Sequence, residues 1–307
     1  MSEGRQTLLP DGVDVPFSSI AAALASGGDG THRRADGRAL MATVVAVGPH
    51  ERLCDAAEAL RHLGDGGVRA VLIPTGSQPM PGARVASNAI ALRGLEPRFV
   101  DNAVAALRLS SLPTLVWWRG GPPETLDAVA ALADRLLIDE DDPRGIWARA
   151  LPLLDGTPIG DLHWTRLTRW RSLVANFFDM PEIRAAAAGF TQLRITAADS
   201  IAAALLAGWL KTSVEAGEKI EVSLADGTLG LPIEEITFGD GEQALELRAT
   251  PSCTCVHTSA TIRGHRSMSQ YVPLGDQSLA ALIQEELRIR SRDAAFERAL
   301  HALVAGS

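Results

Sequence analysis

The chain has 307 residues, of which 46% are hydrophobic and 21% charged, a composition typical of globular rather than disordered proteins. Its net charge of −8 disfavours a nucleic-acid binder, which needs a basic surface. Because no apolar run reaches the length of a membrane span and the three cysteines are an odd number, the sequence predicts a cytoplasmic protein without a membrane or nucleic-acid partner.

Residues 1–38 are predicted to form a flexible N-terminal arm. The segment from Ser26 to Thr31 is rich in glycine, which raises the question of phosphate binding. A dinucleotide fingerprint needs a strand before its glycines and a helix after them, whereas here the predicted strand comes afterwards. The segment is therefore interpreted as a linker.

Residues 39–155 are predicted to form an α/β domain with a mostly parallel, Rossmann-like sheet and flanking helices. The turn Gly48–Glu51 lacks the spaced glycines of a dinucleotide site, so no cofactor is predicted there. Alternation of strands with helices is typical of such a sheet. Apolar runs predict strands at 41–47, 68–73, 84–92, 113–118 and 135–138, and helical spacing predicts helices at 49–63, 101–109, 124–133 and 143–154.

Residues 156–307 are predicted to form an α+β domain with an antiparallel sheet. Asp-Gly and Gly-Asp pairs between short apolar runs are typical of hairpins. Helices are predicted at 161–179, at 199–215 with Asp199 as the N-cap, and at 277–304. Strands are predicted at 190–196, 219–224, 233–238, 244–249, 253–262 and 267–272.

Four acids, Asp139–Asp142, follow the predicted strand at 135–138. Ligand sites of α/β proteins lie at the carboxyl ends of parallel strands, and carboxylates there could hold Mg²⁺. One hypothesis is therefore a sugar-phosphate-binding protein or enzyme with its site at Asp139–Asp142. The alternative is a solvated turn, because Pro143 begins the next predicted helix.

Cys253, Cys255 and His257 alternate along a predicted strand, which would place two thiols and an imidazole on one face. This is a weak alternative hypothesis of a zinc or redox site, with His265 as a possible fourth ligand. The other interpretation is a half-buried strand in which cysteine acts as a small apolar residue. Cys54 is predicted to lie in the core.

The segment from Asp161 to Asp179 is predicted to be one amphipathic helix with Asp161 as its N-cap. Arg166 lies within the apolar arc and Trp164 at its edge. A charge in that position needs a carboxylate or a covering partner, and tryptophan with arginine is typical of interface hot spots. A core helix whose arginines reach water is the alternative. The apolar positions are Leu162, Trp170, Leu173, Val174, Phe177 and Phe178, with Leu167 on one flank.

Five segments together carry a resemblance to a known family. The most specific is Asp161-Leu-His-Trp-Thr-Arg-Leu-Thr-Arg-Trp-Arg171. With the other four, it resembles the glucose-6-phosphate dehydrogenase assembly protein family, the OpcA-type subunit, in the correct order from about residue 40 to the end. The other segments are Leu112–Trp118, Ala133–Asp139, Ala203–Leu210 and Leu282–Leu287.

The resemblance implies a non-catalytic subunit that binds glucose-6-phosphate dehydrogenase. It would assist assembly of that enzyme or activate it, and so control the NADPH output of the oxidative pentose phosphate pathway. The resemblance carries over no catalytic residue and no cofactor. The family-like positions are candidates for binding the partner, together with Trp170 of the same predicted helix; these are Trp117, Trp118, Asp161, Trp164, Thr165, Arg166 and Arg171.

Overall fold

The computed structural model describes residues 7–26, 39–64, 67–76, 80–214, 217–262, 265–289 and 291–305. By its internal contacts the chain divides into two units. The first comprises residues 1–161 with 278–292, and the second comprises residues 162–277 with 293–307. The expected division near residue 155 did not foresee that a late segment returns to the first unit.

The strands are short, and they form two separate sheets. In chain order they are β1 Val13–Val15, β2 Ala42–Pro49, β3 Val68–Thr75, β4 Gly82–Ala86, β5 Ala89–Arg93, β6 Thr114–Trp118, β7 Arg135–Ile138, β8 Ile159–Asp161, β9 Gln192–Ala197, β10 Glu221–Asp226, β11 Glu235–Gly239, β12 Ala244–Thr250, β13 Cys255–Ile262 and β14 His265–Pro273.

The helices of the described ranges are too short or too polar to cross a membrane. They are α1 Ile20–Ala25, α2 His50–Gly64, α3 Val100–Leu107, α4 Pro123–Ala130, α5 Arg144–Ala150, α6 Leu162–Arg166, α7 Thr168–Phe178, α8 Pro181–Ala187, α9 Ser200–Ser213, α10 Leu279–Glu286 and α11 Ala294–Ala305.

The first unit is built on an eight-stranded sheet of order β1-β4-β5-β3-β2-β6-β7-β8. Strands β5, β3, β2, β6, β7 and β8 run parallel, while β4 and β1 pair antiparallel at one edge. The continuous apolar runs of the central strands explain this arrangement, because a parallel strand is buried on both faces. Helix α2 packs on β2 and β3, and α10 packs against α2.

The N-terminal arm differs in part from the prediction. Residues Val13–Val15 form β1, which is hydrogen-bonded to β4 at the edge of the sheet, and α1 follows. This half of the expected arm is therefore part of the first unit. The glycine-rich segment that was interpreted as a linker falls on residues 27–38, which lie outside the described residues.

The second unit is built on a six-stranded mixed sheet of order β10-β9-β11-β12-β13-β14. Four of its five pairings are antiparallel, and β10 alone runs parallel to its neighbour β9. Helix α9 lies between β9 and β10 in sequence, and it supplies the long crossover that a parallel pair requires. The predicted fold class, a mostly parallel α/β part followed by an α+β part, is confirmed.

Three predicted elements are each divided in two. The strand expected at 84–92 is the hairpin β4–β5, which turns at Ser87 with a positive φ of 47°. The helix expected at 161–179 begins as β8 and continues as α6 and α7. The closing helix expected at 277–304 is α10 and α11, and the two belong to different units.

Candidate functional site

Two adjacent tryptophans end β6 at the carboxyl edge of the first sheet. Trp117 and Trp118 are both 0% exposed. Trp117 Nε1 donates to Asp139 Oδ2 at 3.0 Å, and Trp118 Nε1 donates to Glu140 Oε1 at 2.7 Å. A buried indole needs such an acceptor. These predicted partner-binding residues therefore join the end of β6 to the residues after β7, and their rings lie inside the unit.

Arg119 fills the crevice between β2 and β6, where the strand order reverses and open α/β sheets bind ligands. Its Nε lies 2.8 Å from Asp139 Oδ2, and its other nitrogens pair with Asp55 of α2. The guanidinium also lies over the ring of Trp117. A Cβ on Gly48 would come within 2.8 Å of the Arg119 Cβ, so side chains of this unit occupy the space beside the end of β2.

The acids Asp139–Asp142 are each engaged by another side chain. Asp141 Oδ2 lies 3.2 Å from Arg52 Nη1, and Asp142 Oδ2 lies 3.1 Å from Arg144 Nη1. The described residues contain no group of three or more His, Cys, Asp or Glu side chains arranged to hold a metal. The hypothesis of a Mg²⁺ or sugar-phosphate site is corrected accordingly, because these acids serve as partners of arginines and indoles.

Asp161 is not the N-cap of a helix, which corrects the prediction. It ends β8, is 0% exposed, and its Oδ2 accepts a hydrogen bond of 2.8 Å from Trp147 Nε1. The helix expected to run on to Asp179 is interrupted at Leu167, whose amide bonds to Trp164 O three residues back. Such a tight turn leaves the α-helical ladder and separates α6 from α7.

Trp164 lies in the core of the second unit rather than at its edge. It is 2% exposed, and its Nε1 donates to Asp293 Oδ2 at 2.8 Å. Its ring is 5.6 Å from that of Phe296 in α11. The guanidinium carbon of Arg171 lies 3.8 Å from the centre of the same ring. Trp164 therefore joins α6 to α11, and its burial has an explanation inside the unit.

Arg166 and Arg171 keep partly exposed side chains, unlike the other six predicted partner-binding residues. Thr165 and Trp170, which complete that set, are 3% and 4% exposed. Because a partner can touch only what reaches the surface, Arg166 and Arg171 are the members of the set that fit the prediction sterically. Their contact with a partner stays a prediction.

The suggested cysteine and histidine cluster takes a different form. Cys253 and Cys255 are joined by a disulfide, so neither sulfur is a thiolate that could bind zinc in this state. Cys253 precedes β13 rather than lying on it. His257 Nε2 is 2.8 Å from Ser269 Oγ, and its ring contacts Tyr271. The zinc hypothesis is therefore corrected; the side chain of His265 lies outside the described residues.

Asp199 caps α9, as predicted, and also binds a histidine. Its Oδ1 accepts from the amides of Ile201 and Ala202 at 3.0 Å each, and its Oδ2 lies 2.6 Å from His163 Nδ1. Burial alone would raise the pKa of Asp199. The hydrogen bond and charge of His163, with the two amides, outweigh it and hold the pKa below its ordinary value.

A surface pocket of about 530 Å³ lies among α7, α8 and α9 in the second unit. We call it the Trp209 pocket; its lining includes Phe178, Arg184, Trp209, Leu210 and Val214. The sequence placed Trp209 on the buried side of α9, whereas the ring is only half-buried. Helix α9 is apolar around most of its circumference, so periodicity cannot show which apolar side chain reaches the surface.

Comparison with known proteins identifies similarity in sequence. Residues 157–300 match the family model that describes the C-terminal domain of the glucose-6-phosphate dehydrogenase subunit. A protein of Nostoc punctiforme named OxPP cycle protein OpcA is 24% identical over 248 residues, which cover 66% of this chain and 52% of that protein. A protein of Synechocystis with the same name is 30% identical over 115 residues, covering 34% of this chain and 24% of that protein. The chain thus spans about half the length, or less, of these curated relatives.

Comparison of structures concerns the fold alone. An oxidoreductase from Sinorhizobium meliloti superimposes with a TM-score of 0.54 at 9% identity, covering 87% of this chain and 95% of the other. At that identity the likeness indicates a shared Rossmann-like architecture and carries no conclusion about activity.

Proposed function

Since residues 157–300 belong to the glucose-6-phosphate dehydrogenase subunit family, we propose that this protein binds glucose-6-phosphate dehydrogenase as a non-catalytic subunit. The resemblance to the OpcA-type assembly family that the sequence suggested is confirmed by this match and by the relatives of that name. The proposed role is to assist assembly of the dehydrogenase or to activate it. Such a subunit would regulate the oxidative pentose phosphate pathway.

The geometry at the first sheet supports a role other than catalysis. The crevice that binds ligands in open α/β sheets is filled by Arg119, which is paired with Asp55 and Asp139. The tryptophans beside it use their N–H groups to hold the acids of the next strand. These groups satisfy one another, whereas a catalytic acid or base must reach a substrate.

The matched domain carries a surface with the composition of a protein interface. The Trp209 pocket offers a half-exposed indole beside Phe178 and Arg184. Aromatic residues and arginine set in an apolar depression are the side chains that most often dominate binding energy. We place the dehydrogenase contact on this pocket. Arg166 and Arg171 are a second candidate contact, retained from the resemblance.

Co-purification from the native host, probed for glucose-6-phosphate dehydrogenase, tests the proposal directly. We expect the dehydrogenase to co-purify and its NADPH production to change when the purified protein is added. If the enzyme neither co-purifies nor changes in activity, the proposed function is wrong.

Three variants locate the contact. Trp209→Ala should weaken binding roughly thirtyfold, as expected for a hot-spot tryptophan. Arg166→Ala tests the second candidate contact. Arg248→Ala is the control, because Arg248 is an exposed arginine of the same unit whose ion pair is with Glu235. Circular dichroism must show each variant folded. If all three bind like the unmodified protein, the function stands but neither proposed surface is the interface.

A further inference from the structure

A second pocket of about 530 Å³ lies in the first unit, between α1 and α3. Its lining combines residues of both helices with Arg69 of β3 and Leu92 of β5. We call it the Arg69 groove. It shares no lining residue with the carboxyl edge of the sheet, where Trp117 and Arg119 lie, or with the residues predicted to bind a partner.

Arg69 is the unusual member of this groove. Its Nε is buried and has no hydrogen-bond partner, and none of the ion pairs among the described residues includes Arg69. Burial is the cause that lowers the pKa of its guanidinium from the ordinary value, and no acid opposes it. A buried charge without a counter-ion is costly. An anion that entered the groove would remove that cost.

The rest of the lining is mostly apolar. Leu92 is 2% exposed and forms part of the floor, with Leu95 and Leu107 beside it. Phe17 and Phe99 also line the groove and are 40% and 44% exposed, which places them at its opening. The polar side chains besides Arg69 are those of Ser18 and Asn102. Sugars and polyphosphates need many polar partners, so this lining disfavours them.

Size and charge together define the ligand class. The volume falls within the roughly 300–1,000 Å³ usual for small-molecule sites. One guanidinium matches one negative charge, and arginine binds a carboxylate through two parallel hydrogen bonds. We propose that the Arg69 groove binds a small amphipathic carboxylate, with its head group on Arg69 and its apolar tail along Leu92, Leu95 and Leu107. This site is independent of the dehydrogenase contact.

Titration calorimetry of the full chain with sodium decanoate tests the proposal, below the concentration at which decanoate forms micelles. We expect saturable binding of one decanoate per chain. Decanol, which has the same tail without the charge, should bind roughly tenfold to a hundredfold more weakly, the worth of a charge-assisted hydrogen bond. Octanoate should bind more weakly than decanoate, because it buries less apolar surface.

Two variants and one control identify the groove. Arg69→Gln should abolish the preference for decanoate over decanol. Ala103→Trp leaves the charge in place and fills the groove from α3, so it should weaken both ligands. Arg61→Gln removes an exposed arginine of α2 and should change neither affinity. If decanoate does not bind, or binds equally to Arg69→Gln and Ala103→Trp, the assignment is wrong.

Discussion

At the scale of single residues, this protein repeatedly satisfies buried tryptophans with carboxylates. An indole N–H inside a protein needs an acceptor, and an ionised carboxylate is a strong one. The tryptophans that looked like surface contacts from their composition are therefore half of internal hydrogen-bonded pairs. The pairs are Trp117–Asp139, Trp118–Glu140, Trp147–Asp161 and Trp164–Asp293.

Arg119 provides a test of how much the filled crevice contributes to stability. Replacing Arg119 with leucine leaves the carboxylate of Asp139, which is 5% exposed, with only Arg52 at 3.8 Å. We expect Arg119→Leu to lower the free energy of unfolding by about 3 kcal/mol, the lower end for breaking a buried pair. Urea unfolding followed by tryptophan fluorescence measures it.

Arg144→Leu is the matched control for that measurement. Arg144 and its partner Asp142 are both more than half exposed, and such pairs contribute about 0–1 kcal/mol. Equal losses in the two variants would show that burial of Arg119 does not strengthen its ion pairs.

Asp199 gives a pH-dependent prediction. Because its pKa in the folded protein is below the ordinary carboxylate value of about 4, its contribution to stability is present above that value. The contribution is lost as the pH falls through the lowered pKa. We expect Asp199→Asn, which keeps a capping oxygen but no charge, to be less stable at pH 7 and to approach the unmodified protein in acid.

Thermal melts between pH 7 and pH 3 check this, with Asp199→Ala beside Asp199→Asn. The alanine variant also loses the cap of α9, which typically costs about 1 kcal/mol. It should therefore stay less stable than the asparagine variant at every pH. A gap between Asp199→Asn and the unmodified protein that is constant with pH would contradict the role given to the charge.

At the scale of elements, periodicity predicted the buried strands and most helices but not where they are interrupted. The runs at β2, β3 and β6 are apolar at almost every position, so their burial could be read from sequence. The break at Leu167 could not, because apolar spacing continues from Leu162 to Phe177 across it. Burial of Trp117 and Trp164 depends on acids 22 and 129 residues away, which local patterns do not contain.

Two glycines give an element-scale prediction with opposite signs. A Cβ on Gly160 of β8 would come within 2.6 Å of Arg135 Nη2 and 2.9 Å of Glu286 Oε2, the buried pair that holds α10. We expect Gly160→Ala to destabilise the protein by about 1–3 kcal/mol through overpacking.

Gly145 of α5 is the comparison, because a Cβ there meets nothing within 4 Å. Gly145→Ala should be neutral or stabilise by up to about 1 kcal/mol, since alanine is the better helix former. Differential scanning calorimetry of both variants distinguishes them. A Gly160→Ala protein that melts with or above the parent would mean that α10 is not tightly held against β8.

At the scale of the whole molecule, the chain passes between its two units more than once. Residues 278–292 return to the first unit before residues 293–307 join the second. The return is secured by Glu286, which is 1% exposed and 2.6 Å from Arg135 Nε. The boundary at residue 161 is therefore not a place where the chain can be cut into two complete units.

A fragment of residues 1–161 tests this statement. It leaves Arg135 buried without Glu286, so we expect it to unfold at lower urea than the same fragment joined by a flexible Gly/Ser linker to residues 278–292. The difference should be about 3–5 kcal/mol, the cost of an unpaired buried charge. A linked fragment carrying Glu286→Gln is the control. It should lose most of that gain, and equal midpoints for all three would exclude α10 from the first unit.

The ion pair between Arg135 and Glu286 also has a consequence for synthesis of the protein. The two residues are 151 positions apart. At about 5–20 residues per second, the ribosome makes Glu286 about 8–30 s after Arg135. During that interval the nascent first sheet carries an unmatched positive charge beside uncovered apolar surface. The half of the protein that is translated first is therefore among the last to be completed, and its yield should depend on the chaperones that attend the growing chain.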